Sequence, residues 1–331
     1  MKRTTVRPAA FALIGLIFAA VLPSVGSAEI RRFTALDVKT DFRTDAEAAF
    51  GRPVAISHDK GAIYVVDAEA HEVRVFSKEG AFLGTLGRKG QGPGEFDTPA
   101  GLDARDGRIF VADRFNSRVQ ILDRAGKYLG GFKVPFDPDQ IRALSGGKIA
   151  VSHLPLGFRG SEPMVHCYSE AGELLWEGMP SCSSGERTYD AFRNLHVMVG
   201  GGRDDLYVVR KSDDNAIRRF DGAGSALAPI VVPPEYAFKS ITLPLPGPNR
   251  VLKAFCWDAA VDGDRIGLLA PDYTEDGDIG PGRRVYLVGR GGSLDGLVEF
   301  PAVVRKIDLD GDAVYAIDDD YNLRVFRTAP R

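Results

Sequence analysis

The chain is poor in the residues that most often announce chemistry. Its 331 residues contain three cysteines, five histidines, four methionines and two tryptophans. Cys167, Cys182 and Cys256 leave room for one disulfide and one leftover thiol in an oxidising compartment, with the pairing open. A long apolar run of period 3.6 is missing, which argues against a helical domain. Positive charge is also scarce: 42 Lys and Arg stand against 45 Asp and Glu, a formal charge of -3, so no broad nucleic-acid surface is indicated. No Gly-x-Ser-x-Gly elbow occurs, and Ser181, Ser183 and Ser184 lie in a polar stretch with no histidine near them. The glycines of Gly87 to Gly94 are followed neither by Lys-Ser/Thr nor by a helical pattern, so they read as a linker and not as a phosphate cradle. His58, His71, His153, His166 and His196 form no close ligand pair.

What the chain does have begins with Lys2, Arg3 and Arg7 ahead of an apolar run of 14 residues, Ala9 to Leu22, and then Gly26-Ser27-Ala28. That order reads as a secretory signal peptide over residues 1–28, too short for the roughly 20 residues of a spanning helix. No cysteine follows the apolar run to carry a lipid. The expectation is a periplasmic or secreted chain that does not span a membrane once the signal is removed, with residues 29–331 forming one domain. Glycine (38) and proline (20) together make up about 18% against an average near 12%, as many tight turns require.

The segment Pro53-Val54-Ala55-Ile56, Ile63 to Asp67, Val73 to Phe76, Gly80 and Phe82-Leu83-Gly84 returns as Pro99 to Leu102, Ile109 to Asp113, Val119 to Leu122, Gly126 and Tyr128-Leu129-Gly130. Each equivalent pair is 46 residues apart, a period that belongs to propellers, solenoids and arrays. The apolar segments are short, rich in Val, Ile, Tyr and Phe, and bounded by Gly, Asp or Asn, which is strand chemistry. Asp59-Lys60-Gly61 and Arg105-Asp106-Gly107 provide hairpin residues that tolerate positive φ. The template continues through Ile141 to Trp176, Leu195 to Val231, Trp257 to Phe300 and Val303 to Phe326. The sixth copy has only three strands, and Ile30 to Leu36 has no other partner. The fold expected is therefore all-β: a six-bladed β-propeller of four-stranded antiparallel blades, closed by an N-terminal strand that joins the last blade.

Pro99 to Leu102, Ile109 to Asp113 and Asn116-Ser117-Arg118-Val119-Gln120-Ile121 resemble the NHL repeat, and Gly87 to Pro99 resembles its glycine-rich linker. The resemblance is close over Gly51 to Phe132, decays through blades three to five, and partly returns at Asp318 and Asn322-Leu323-Arg324. It implies a six-bladed NHL-type propeller and assigns no single activity. Related amidating lyases and lactonases bind a divalent metal near the ring axis, so a metal-assisted hydrolase or lyase is the alternative to a binding module.

Strand direction alternates, so turns between strands two and three share one face with the blade-to-blade connections. All four expansions belong there: Ser152 to Pro163, Gly178 to Phe192, Val232 to Ala254 and Ala270 to Arg284. Loops carried on a rigid scaffold are where binding residues concentrate. Candidate binding residues on that face are His153, Arg159, Arg187, Tyr189, Asp190, Tyr236, Trp257, Asp258, Asp272 and Tyr273. Asp272, Glu275, Asp276 and Asp278 form an acidic cluster that reads as a solvated loop, with calcium as the competing reading. Asp308, Asp310 and Asp312 imitate the start of a calcium loop, lack its later glutamate, and read as a hairpin. No catalytic residue, resident metal or cofactor is assigned. The function expected is that of an exported, non-enzymatic propeller that binds a protein, peptide or glycan through the loop-rich face over blades three to five.

Overall fold

Short β-branched and aromatic segments separated by tight glycine turns build the same antiparallel unit six times. The computed structural model describes residues 30–37, 49–154, 161–200, 205–212, 214–233, 236, 239–243 and 249–330. The expected signal at 1–28 lies outside them. Blade one is Pro53–Asp59, Ala62–Asp67, Glu72–Ser77 and Phe82–Leu86. Blade two is Pro99–Arg105, Arg108–Asp113, Arg118–Asp123 and Tyr128–Lys133. Blade three is Gln140–Leu144, Lys148–Ser152, Pro163–Ser169 and Leu174–Pro180. Blade four is His196–Gly200, Leu206–Arg210, Ala216–Phe220 and Ala226–Val231. Each of these four blades is one four-stranded sheet in chain order.

Blades five and six depart from separate sheets. Blade five has Asp258–Asp262, Arg265–Leu269 and Gly282–Gly289, then the first half of the long strand Leu294–Asp310. The second half of that strand is the innermost strand of blade six, followed by Ala313–Asp318 and Leu323–Pro330. Arg31–Asp37 completes blade six as expected, pairing antiparallel with Leu323–Pro330. It also runs parallel to Gly296–Glu299 of blade five, so one segment occupies two strand edges that would otherwise be open.

Six apolar cores hold the ring, one between each neighbouring pair of blades. Tyr64 and Val66 of blade one pack on Leu102, Ile109 and Val111 of blade two. The last core joins Ile63, Val65 and Phe76 of blade one to Tyr315, Ile317 and Val325 of blade six, which closes the circle. Glycine at the outer turn is required by both backbone and neighbour. Gly172 has φ 86° and a Cβ there would sit 2.6 Å from Phe132 Cβ; Gly224 has φ 85° and would meet Trp176 Cγ at 2.4 Å.

The residues that carry the NHL resemblance are structural clamps. Asp113 is fully buried and accepts hydrogen bonds from the Asp97 N–H (2.7 Å), Asn116 Nδ2 (2.9 Å) and Arg118 Nε (2.7 Å). Asp67, 46 residues earlier, accepts from the N–H groups of Gly51 (2.7 Å) and Arg52 (2.9 Å). Asp318 accepts from the Asn322 N–H (2.8 Å) and Arg324 Nε (2.8 Å). Cys167, Cys182 and Cys256 are free thiols, so the disulfide considered from composition does not form in this structure.

Candidate functional site

Antiparallel pairing fixes which groups meet at each end of the ring axis. At the mouth where the innermost strands end, the connections are short hairpins around a cavity of about 250 Å³. Its polar groups are committed to neighbouring blades. Asp59 accepts from the Gly107 N–H (2.7 Å), Asp103 from the Ala143 N–H (2.8 Å) and Asp262 from the Gly311 N–H (3.1 Å). Arg105 donates to the Ala143 carbonyl (2.9 Å). His58 Nδ1 lies 2.6 Å from Asp308 Oδ2, which joins blade one to blade six. Burial alone would lower the His58 pKa, but the Asp308 hydrogen bond and the charges of Asp308, Asp310 and Asp262 hold it at about 9. Asp308 and Asp310 are thus blade stitches, in keeping with their reading as a hairpin.

The opposite mouth is where the innermost strands begin and the insertions lie. A cavity of about 350 Å³ opens there, lined from all six blades. Arg52 and Pro53 come from blade one, Thr98 and Arg114 from blade two, Asp139 and Leu154 from blade three. Blade four supplies His196 and Lys211, blade five Trp257 and Asp258, and blade six Arg305, Lys306 and Tyr321. Five cationic side chains face two carboxylates, in a chain whose formal charge is -3. Both carboxylates are already paired: Asp139 with Arg114 (3.1 Å), and Asp258 with Lys306 (3.4 Å) and the Ile307 N–H (3.0 Å).

Lys211 follows directly on the second strand of blade four, and its Nζ sits 5.3 Å over the Trp257 ring. Burial and the nearby Lys306 lower its pKa, with Asp258 and Asp139 acting in the opposite direction. Among the described residues its Nζ has no hydrogen bond or ion pair. His196 is buried, its Nδ1 bonded to the Asn194 carbonyl at 2.9 Å, so Nε2 is the basic nitrogen and has no partner among the described residues. Burial lowers its pKa, and the neutral ring is favoured. No group of three or more His, Cys, Asp or Glu is placed to hold a metal ion among the described residues.

Of the residues singled out from sequence, Trp257 and Asp258 line this funnel. His153 lies beside it, stacked on Phe136 (4.4 Å) and close to His166 (5.2 Å). Burial, then the neighbouring His166 and His196, lower the His153 pKa to about 4. Arg187 opens a helix, Arg187–Asn194, where the sequence pattern shows only an irregular insertion. In that helix Tyr189 packs under the guanidinium groups of Arg193 and Arg250, and buried Asp190 accepts from the Ser184 N–H (2.7 Å). Tyr236 is buried against Phe255 and Tyr286. Asp272 pairs with Lys239 (3.2 Å), and Tyr273 Oη bonds the backbone of Ser240. These contacts tie the hairpin of Asp272–Tyr273 and Ile279–Gly280 to that of Lys239–Leu243 and Arg250–Ala254. Arg159 lies outside the described residues.

Sequence reasoning does not reach Arg52, Asp139, His196, Lys211 and Lys306 as site residues. A signal for part of the set is present: Arg52 and Thr98 sit 46 residues apart, just before the proline that starts an inner strand. Following that position through all six repeats leads to this rim, whereas insertion lengths lead to the loops around it.

Comparison with known proteins bears on the fold. Residues 41–162 match a family model described as a 6-bladed beta-propeller. NHL repeat-containing protein 3 of Homo sapiens is 33% identical over 102 residues, covering 28% of this chain and 29% of that protein, and the Mus musculus protein matches equally. The chain thus spans less than a third of the length of these curated relatives. A Bacteroides fragilis protein described as exported superposes with a TM-score of 0.57 at 12% identity, covering 91% of this chain and 96% of that one. A luciferin-regenerating enzyme gives 0.54 at 10% identity, covering 85% and 92%. A streptogramin B lyase gives 0.51 at 13%, covering 90% and 98%. At these identities the likeness shows the fold alone. The family match and the closed ring of blades show a six-bladed β-propeller, similar over part of its length to NHL repeat proteins.

Proposed function

We infer that this is an exported, non-enzymatic binding propeller that takes a protein, peptide or glycan on its loop-rich face over blades three to five. The observation that carries the reading is the unequal use of polar groups at the two mouths. The bare mouth commits its charged side chains to stitching blades together, while the loop-rich mouth opens a cavity lined from all six blades and leaves cations without ion pairs among the described residues. Rigid rings presenting elaborated loops around such a cavity are suited to recognition. The charged and then apolar N-terminus, together with the likeness to a protein described as exported, supports work in the periplasm or outside the cell.

The test is to probe immobilised peptide and glycan libraries with the wild type, Trp257→Ala, and a variant in which a short linker replaces residues 183–194. Both variants should lose at least tenfold in affinity for whichever probe the wild type retains, while His58→Ala binds normally. Loss in His58→Ala alone would move the site to the other mouth. A second reading, a metal-assisted hydrolase or lyase, draws its support from the likeness of fold to proteins described as a streptogramin B lyase and a luciferin-regenerating enzyme, and not from any group of metal-ligating side chains among the described residues. Stoichiometric zinc or calcium in purified protein would favour it.

A further inference from the structure

We propose that the loop-rich funnel is a binding site for a small organic carboxylate, with its anionic group on Lys211 Nζ and its carbon body against Trp257 and the apolar wall of Pro53, Pro99 and Leu154. This goes beyond the macromolecular reading of the rim and stands whether or not the rim binds a partner.

Charge is the first support. Asp139 and Asp258 are neutralised by Arg114 and Lys306, so they do not repel an incoming anion strongly. Arg52 and Lys211 are the lining cations without an ion pair among the described residues. They come from blades one and four, on opposite sides of a six-membered ring, so both face the same enclosed space. A positive funnel in a chain of net negative charge concentrates field lines on its mouth and draws anions inward.

Desolvation is the second support. Lys211 is partly buried beside Lys306, which disfavours its ammonium form. A carboxylate delivered to Nζ would relieve that penalty, and such a charge-assisted hydrogen bond is about twice as strong as a neutral one.

Shape and lining select the ligand class. About 350 Å³ lies at the small end of ligand sites, which run from roughly 300 to 1,000 Å³. Trp257 and the two prolines would be left unused by an inorganic oxyanion, whereas an acid with a compact apolar body covers them.

The experiment is isothermal titration of the full mature chain with phenylacetate, with phenylacetamide as its uncharged counterpart, and with inorganic phosphate; tryptophan fluorescence serves as the local reporter at Trp257. Phenylacetate should bind at least tenfold more tightly than phenylacetamide. Lys211→Met should remove that preference, and Lys211→Arg should keep it within about threefold, with circular dichroism showing both variants folded. Equal affinity for the two probes, no saturable binding of phenylacetate, tighter binding of phosphate, or an unchanged preference in Lys211→Met would each overturn the proposal. Arg142 lines the bare-mouth cavity, and phenylacetate binding abolished by Arg142→Met but not by Lys211→Met would overturn the proposal as well. Loss of a macromolecular probe with phenylacetate binding kept, in the variant whose residues 183–194 are replaced, would separate the two readings.

Discussion

Blades one, two and six end their second strand in Asp67, Asp113 and Asp318, whereas blades three, four and five end it in Ser152, Arg210 and Leu269. In the first group a buried carboxylate gathers backbone N–H groups and an arginine, and the turn after it stays short. In the second group the clamp is missing, and every expansion of the chain lies within or beside those blades. Blade four has put a cation where the anion stood. Arg210 Nη1 and Nη2 donate to the carbonyls of Arg193 (2.9 Å) and Pro180 (2.6 Å), and Nη1 also to Asn194 Oδ1 (3.1 Å), which fastens the end of the inserted helix. The lesson is that a satisfied buried charge restrains the loop beside it, and losing that charge frees the loop for elaboration.

The comparison is broken most severely at Asp113. Asp113→Ala leaves Arg118 without its buried partner and should cost about 3–5 kcal/mol in urea unfolding. Ser152→Ala at the matching position removes a hydroxyl with no partner among the described residues and should change stability by less than about 1 kcal/mol. Similar losses in the two variants would end the idea of a clamp peculiar to the regular blades. Next, Arg210→Met strands the carbonyls it serves and should cost about 1–3 kcal/mol. Limited proteolysis should then cut first between residues 181 and 194.

A smaller effect is expected at the glycine turns, Gly224 at an outer turn and Gly263 at an inner hairpin. Gly224→Ala combines positive φ with a contact on Trp176 and should cost about 2 kcal/mol, read from the shift of the urea midpoint. Gly263 has φ 57° and a Cβ there would have no atom within 4 Å, so Gly263→Ala should cost only the backbone share, about 1 kcal/mol.

Dependence on pH also separates the two groups of blades, whose histidines shift in opposite directions. The folded-state pKa of His58 is raised to about 9, so its stabilisation is complete below about 6.5 and is lost as the pH rises from there through 9. His153 is lowered to about 4, so the unfolded chain binds its proton first and stability falls as the pH drops from about 6.5 towards 4. Melting temperatures across pH 4 to 9.5 should show a flatter alkaline arm in His58→Ala and a flatter acid arm in His153→Phe. Unchanged arms would show that neither histidine carries the linkage.

Much of the fold was legible because its determinants are local. Alternating apolar segments, the Lys60-Gly61 and Asp106-Gly107 turns and the repeated outer glycine specify strands and hairpins from a few neighbouring residues. The orphan strand near the N-terminus could be matched to the blade that lacked one. Its second pairing, with blade five, was not visible, because nothing in Arg31 to Thr34 marks which edges will lie within reach. The eight-residue helix at Arg187 was too short to raise a periodic signal. The site was less legible. Residue type suggested Asp190, Tyr236 and Asp272, yet each is engaged in holding a loop or core together.

The sequence by itself determined the repeat, its strands and turns, the closing segment and the face that receives the insertions, since each follows from local geometry and the alternation of chain direction. The tertiary structure alone decided which polar groups are committed and which stand open. His58 and Asp308 meet across 250 residues, and Lys211 meets Trp257 only when blades four and five pack together. A charge is neutralised by whatever lies within a few ångströms of it, and in a closed ring those neighbours come from other blades.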